Sequence, residues 1–206
     1  MSVATGFVDF STGRESIVTA PGPGRPTEVK VFAFPLLQPI AKAGHGSTQA
    51  TDEPVNTASF TPFGKDYRGG VSLATGWLAG SLGGAKRIVV SKLADSGSVK
   101  IFSSGSALDG GPPLYLQSPL HHDHGAHFRE IAGFEPFGGS GGARVATTST
   151  TTGANLLVSG VAPGGTEASV IKYDLVRPSA QSTALEAVRL GQVWSGKGSP
   201  PALGGD

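Results

Sequence analysis

One phrase occurs twice in this chain and narrows its folds more than any other feature. Ser59 to Gly76 reads SFTPFGKDYRGGVSLATG and Gly133 to Thr148 reads GFEPFGGSGGARVATT. Each sets Phe-x-Pro-Phe a few residues ahead of a Gly-Gly pair and a short apolar strand. The tail of the phrase also occurs near the start: Val3-Ala4-Thr5-Gly6 precedes Leu73-Ala74-Thr75-Gly76 by 70 positions, and Val145-Ala146-Thr147 follows after another 72. A chain with such a period builds one supersecondary unit several times and stacks the copies, because one copy cannot bury its apolar face alone.

Each copy continues in the same order. A second apolar strand is expected at Ser16-Ile17-Val18-Thr19, Arg87-Ile88-Val89-Val90 and Asn155-Leu156-Leu157-Val158. Turn-forming stretches follow, Ala20-Pro21-Gly22-Pro23-Gly24, Ala94-Asp95-Ser96-Gly97 and Val161-Ala162-Pro163-Gly164-Gly165. A third strand then alternates apolar and polar residues at Val29-Lys30-Val31-Phe32, Val99-Lys100-Ile101-Phe102 and Val170-Ile171-Lys172-Tyr173, the mark of a strand with one face on a core. The Phe-x-Pro-Phe phrase supplies the fourth element, and its proline assigns it to a sheet edge. Two long inserts, Leu36 to Ala58 and Ser103 to Ala126, fall at the same point of consecutive copies and are expected on one rim. Ala184 to Leu190 fits either a fourth strand or the first strand of another copy. The expected organisation is a β-repeat domain over 1–190, with repeats of approximately 1–68, 69–142 and 143–190, and a Gly/Pro-rich tail over 191–206.

Composition agrees with this and removes several classes of function. With 32 glycines, 15 prolines and only 15% charged residues, short strands and tight turns are favoured over long helices. A net charge of +1 supplies no basic field for nucleic acid. No apolar run approaches the roughly 20 residues of a spanning helix. Cysteine is absent, which removes disulfides, thiolate metal sites and cysteine nucleophiles. Met1 to Gly6 has neither the basic nor the apolar region of a secretory signal.

The order of Phe-x-Pro-Phe, Gly-Gly, an apolar strand ending in Ala-Thr, a loop, a second strand, a Gly-rich turn and Val-Lys-Val-Phe resembles the FG-GAP/VCBS type of repeat found in integrin-like β-propellers. The resemblance covers roughly Val3 to Asp174. It implies an all-β, propeller-like array of about three four-stranded antiparallel blades. It also implies an extracellular, cell-surface or periplasmic location in a bacterial setting. That family often carries a calcium loop between its first two strands, closed by an acid just before the second. Here the closing positions are Ser16, Arg87 and Asn155, and the preceding ligand positions fall near Val8, Phe10 and Thr12, then Ala79, Ser81 and Gly83. Calcium needs several oxygen ligands of compensating charge, so degenerate loops without calcium are expected. A closed propeller needs at least about 4 blades. An incomplete or partner-completed array is therefore expected, with a protein partner or a second copy over the open edges near Val3 and Val188.

Two other groups of residues suggest chemistry. His121, His122, Asp123, His124 and His127 cluster in the second insert, and His45 stands in the matching insert one repeat earlier. Imidazoles so spaced suit zinc or copper, with Asp123 as ligand or orienting group. A polar insert with adventitious metal affinity is the competing reading. Trp77, Trp194, Tyr67 and Tyr115 can form binding platforms or pack over the ends of the sheets. The glycine-rich stretches lack the strand-to-helix setting of a phosphate cradle. Asp52-Glu53 and Glu130 with Glu135 are acids that nothing in the sequence brings together. The resulting expectation is a non-catalytic binding or scaffold module that requires no cofactor. A metal-binding protein using the histidines and a carbohydrate-binding or carbohydrate-active propeller are the alternatives.

Overall fold

A computed structural model describes residues 1–8, 15–33, 53–78, 86–104, 128–139, 141–150, 153–161, 165–176, 178 and 184–196. Among them there is no helix, and twelve strands form three antiparallel sheets of four. The first sheet contains β1 (Ser2–Gly6), β2 (Ser16–Ala20), β3 (Val29–Ala33) and β4 (Val55–Phe60). The second contains β5 (Val71–Gly76), β6 (Arg87–Lys92), β7 (Val99–Ser104) and β8 (Phe128–Phe134). The third contains β9 (Ala143–Thr150), β10 (Gly153–Val161), β11 (Ala168–Val176) and β12 (Glu186–Gly196). Within each sheet the strands lie in chain order, so every sheet is a meander and its fourth strand is an edge.

Register shows how closely the copies match. Gly6 faces Ser16 as Gly76 faces Arg87 and Thr148 faces Asn155. Val18 faces Val31 as Val89 faces Ile101 and Leu157 faces Lys172. Even the irregularity is repeated: the register between third and fourth strands shifts between Val31 and Phe32, Ile101 and Phe102, and Lys172 and Tyr173. Such a shift bends the strand and adds local twist.

The sheets pack face on face. Val18, Ala20, Val29 and Val31 of the first sheet form one core with Val71, Leu73, Ile88, Val90 and Phe102 of the second. The opposite face of the second sheet, with Ala74, Val89, Val99 and Ile101, forms another core with Val145, Leu156, Val158, Ile171 and Tyr173 of the third. Alternation along each strand is what allows this, since neighbouring residues point to opposite faces. The middle sheet uses both faces, and β6 is accordingly buried at every residue from Arg87 to Ser91.

Two sequence expectations are refined. The Phe-x-Pro-Phe phrase is not itself the fourth strand: Phe60 closes β4 and Phe134 closes β8, while Pro62 and Pro136 lie beyond the ladder, where no hydrogen-bond donor is required of them. Of the segment Ala184 to Leu190, the part from Glu186 belongs to a fourth strand, since β12 pairs with β11, and that strand runs past 190 to Gly196.

Candidate interaction surfaces

The repeated phrase fastens each sheet to the next. Phe60 at the end of the first sheet packs on Phe102 of the second, ring centroids 4.6 Å apart. Phe134 at the end of the second sheet packs in the same way on Tyr173 of the third, at 4.8 Å. The second phenylalanine of the phrase, Phe63, meets Tyr67 edge-on at 5.6 Å. Two lysine ammonium groups approach the same aromatic pair, Lys92 4.7 Å from the Tyr67 centroid and Lys100 5.7 Å from that of Phe63. The Tyr67 hydroxyl donates to the Gly70 and Ala94 carbonyls, 3.1 and 3.4 Å away, and accepts from the Ala94 amide at 3.3 Å. Desolvation raises the Tyr67 phenol above its ordinary 10.0 against the lowering effect of backbone hydrogen bonds from Ala94 and Leu93, and burial raises Tyr173 likewise.

The Gly-Gly pair is explained by close approach. A Cβ on Gly70 would stand 2.7 Å from Cδ and 2.8 Å from the backbone nitrogen of Pro23, in the turn between β2 and β3. In the next copy a Cβ on Gly142 would meet the Leu93 carbonyl oxygen, after β6. Only glycine lets the linker run against the preceding hairpin turn.

A row of threonines joins the three first strands. Thr75 Oγ1 donates to the Thr5 carbonyl at 2.5 Å, and Thr147 Oγ1 donates to the Thr75 carbonyl at 2.7 Å. Space for each threonine is left by the glycine of the preceding copy: a Cβ on Gly6 would stand 2.9 Å from Thr75 Oγ1, and one on Gly76 would stand 2.9 Å from Thr147 Cγ2. The Ala-Thr-Gly recurrence is visible in the sequence, but its role in joining units is not, because that role depends on which strands stand side by side.

Several residues singled out by sequence receive structural places. Tyr67 is a half-buried residue packed against the core of the first two sheets, where it fastens the linker. Trp77, 38% exposed, has the Lys86 ammonium 5.1 Å from its ring, and Lys86 also pairs with Glu15 at 3.5 Å. Glu130 is held by Lys100 at 2.8 Å. At the positions expected to close calcium loops, Ser16 and Arg87 are buried, and Arg87 donates to the Ser103 hydroxyl, a buried cation at the place where the motif would put an acid. Among the described residues no group of three or more histidine, aspartate or glutamate side chains is placed to hold a metal. His45, His121, His122, Asp123, His124 and His127 lie outside the described residues, as do Asp52 and Tyr115.

Apolar side chains remain exposed on several strands. Val3 on β1 and Val55 on β4 are 52% and 54% exposed, Val176 ends β11 exposed, and β12 exposes Val188, Leu190 and Val193, at 41%, 52% and 59%. No helix among the described residues is long and apolar enough to cross a membrane. Comparison with protein-family models, with curated proteins and with solved structures found no match to this chain.

Proposed function

We propose that the chain is a non-catalytic binding or scaffold module, a propeller-like array of FG-GAP/VCBS-type blades with degenerate calcium loops, working in an exported or surface-associated assembly. The contact of consecutive first strands through Thr5, Thr75 and Thr147 supports a blade-like arrangement, since such strands would line the axis. The observation that carries the binding role is the edge strand β12. It is the longest strand described, it has a sheet neighbour on one side only, and it exposes Val188, Leu190 and Val193. An edge of this kind offers unpaired backbone groups to another chain, and charges or prolines are the usual defence against that. Leu190 and Val193 keep this edge apolar at the two places where its register with β11 shifts.

Pairing of β12 with a strand of a partner or of a second copy covers the edge. Light scattering across a concentration series tests this in the purified chain, with L190K/V193K as the control. Association is expected that this pair removes while the circular dichroism is unchanged. A monodisperse monomer that is indifferent to the substitutions refutes it.

A further inference from the structure

The interface between sheets has a direction. Each sheet presents a back face to its successor, built on Ala4, Gly6, Val18 and Val31 in the first sheet and on Ala74, Gly76, Val89 and Ile101 in the second. Each successor presents a front face: Leu73, Thr75, Ile88 and Phe102 in the second sheet, Val145, Thr147, Leu156 and Tyr173 in the third. By register, the front face of the first sheet is Val3, Thr5, Ile17 and Phe32. It has the same chemistry position by position, a β-branched or leucine residue, threonine, a large aliphatic and an aromatic.

The two ends of the stack differ. On the first sheet's front face Val3 and Thr5 are exposed, and Ile17 and Phe32 are only partly buried. The equivalents of Phe32, namely Phe102 and Tyr173, each receive a phenylalanine from the sheet before, Phe60 and Phe134. The third sheet's back face departs from the pattern. Thr148 replaces the glycine that makes room for an incoming threonine, and Lys172 replaces Val31 and Ile101. Leu157 and Val170 on that face are already buried, at 8% and 1%.

We propose that the front face of the first sheet is a docking site for a further repeat sheet of the same kind, lying outside residues 1–206, and that the back face of the third sheet is a terminus of the stack. The chemistry of that further sheet is set by the two interfaces already formed. Its first strand carries Ala-x-Gly, and Thr5 Oγ1 donates to the carbonyl of the residue between the alanine and the glycine, as Thr75 does to Thr5 between Ala4 and Gly6. Its fourth strand ends in a phenylalanine that packs on Phe32. A second copy of this chain does not meet that requirement, because the only back face it has left to offer carries Thr148 and Lys172. The inference rests on the interfaces between sheets and is independent of the β12 reading.

The chain lacks cysteine, so Val3→Cys gives one thiol within the proposed site. The probe for the further sheet is residues 1–70 of this chain, fused ahead of Met1 in V3C so that an additional sheet, with its Ala4-x-Gly6 strand and Phe60, can dock. In the added copy residue 3 stays valine, and L190K/V193K is present throughout to remove edge pairing. Maleimide labelling of the introduced thiol is expected to slow at least about tenfold on fusion, and G6T/F60A in the added copy is expected to restore the fast rate. Labelling as fast in the fusion as in the unfused chain overturns the proposal, whether the added sheet folds elsewhere or not at all. Protection of that thiol in the unfused chain that grows with its concentration makes a second copy the occupant and overturns the choice of sheet.

Discussion

Replacing Gly70 by alanine separates the cost of a backbone conformation from the cost of bringing two units together. Gly70 has a φ of +76°, and Gly64, six residues earlier in the same linker, has a φ of +83°. Alanine at either position is held in a left-handed backbone, which costs roughly 1 kcal/mol. Around Gly64 a Cβ meets nothing within 4 Å, so that cost stands alone. At Gly70 the Cβ would sit 2.7 Å from Pro23 Cδ, and reaching the 3.4 Å of ordinary contact requires a displacement of about 0.7 Å between the linker and the first sheet's hairpin turn. Overpacking of that kind adds about 1–3 kcal/mol. For a chain of this length each kcal/mol moves the midpoint by roughly 2–4 °C, so G64A should lower Tm by about 3 °C and G70A by about 6–12 °C. Calorimetry of the two variants beside the parent decides the matter. Equal shifts would show that Gly70 is needed for its φ alone, and that the close approach to Pro23 plays no part in joining the units.

Other expectations follow from the same contacts. A double-mutant cycle of Phe134→Ala and Tyr173→Ala, followed by urea denaturation, should give a coupling of about 1 kcal/mol, and strict additivity would deny the fastening role of that pair. Because burial raises both Tyr67 and Tyr173 above 10.0, the native state favours neutral phenols; their contribution is complete below pH 10 and lost as pH rises through the raised values. Tm should therefore fall above about pH 10, and Y67F/Y173F should flatten that fall; an unchanged slope contradicts it. Lys100→Ala removes a partly exposed ion pair and a contact with Phe63, so a loss of no more than about 1 kcal/mol is expected by thermal melting.

Much of the fold can be read from the sequence because each copy repeats its chemistry at a fixed place. The alternation in Val29-Lys30-Val31-Phe32 and its two echoes places the third strands, and the recurrence of the Phe-x-Pro-Phe phrase places the boundaries between sheets. The end of the fourth strand is less legible, since β12 continues through Gly191 and Gly196, residues that read as a tail. The direction of the stack is hidden altogether. Val3, Leu73 and Val145 look alike in sequence, yet Val3 is 52% exposed and the other two 8% each, because burial on a sheet face is decided by the neighbouring sheet. The histidine cluster, the strongest local signal for metal, lies outside the described residues.

The two-sided burial of β6 bears on how the chain acquires its structure. A sheet apolar on both faces has no stable existence by itself, so the second sheet can be retained only once the first or the third is against it. The smallest cooperative block is thus a pair of adjacent sheets, each pair joined by a linker, a shared apolar core, a threonine hydrogen bond and packed aromatic rings. Because the first sheet leaves the ribosome before the second, that pair is available early in synthesis, and the third sheet is then added to a preformed surface. In the finished protein, amide exchange should be slowest along Ile88 to Val90 and fastest along β4 and β12, which would divide the molecule into a central lock and two releasable ends.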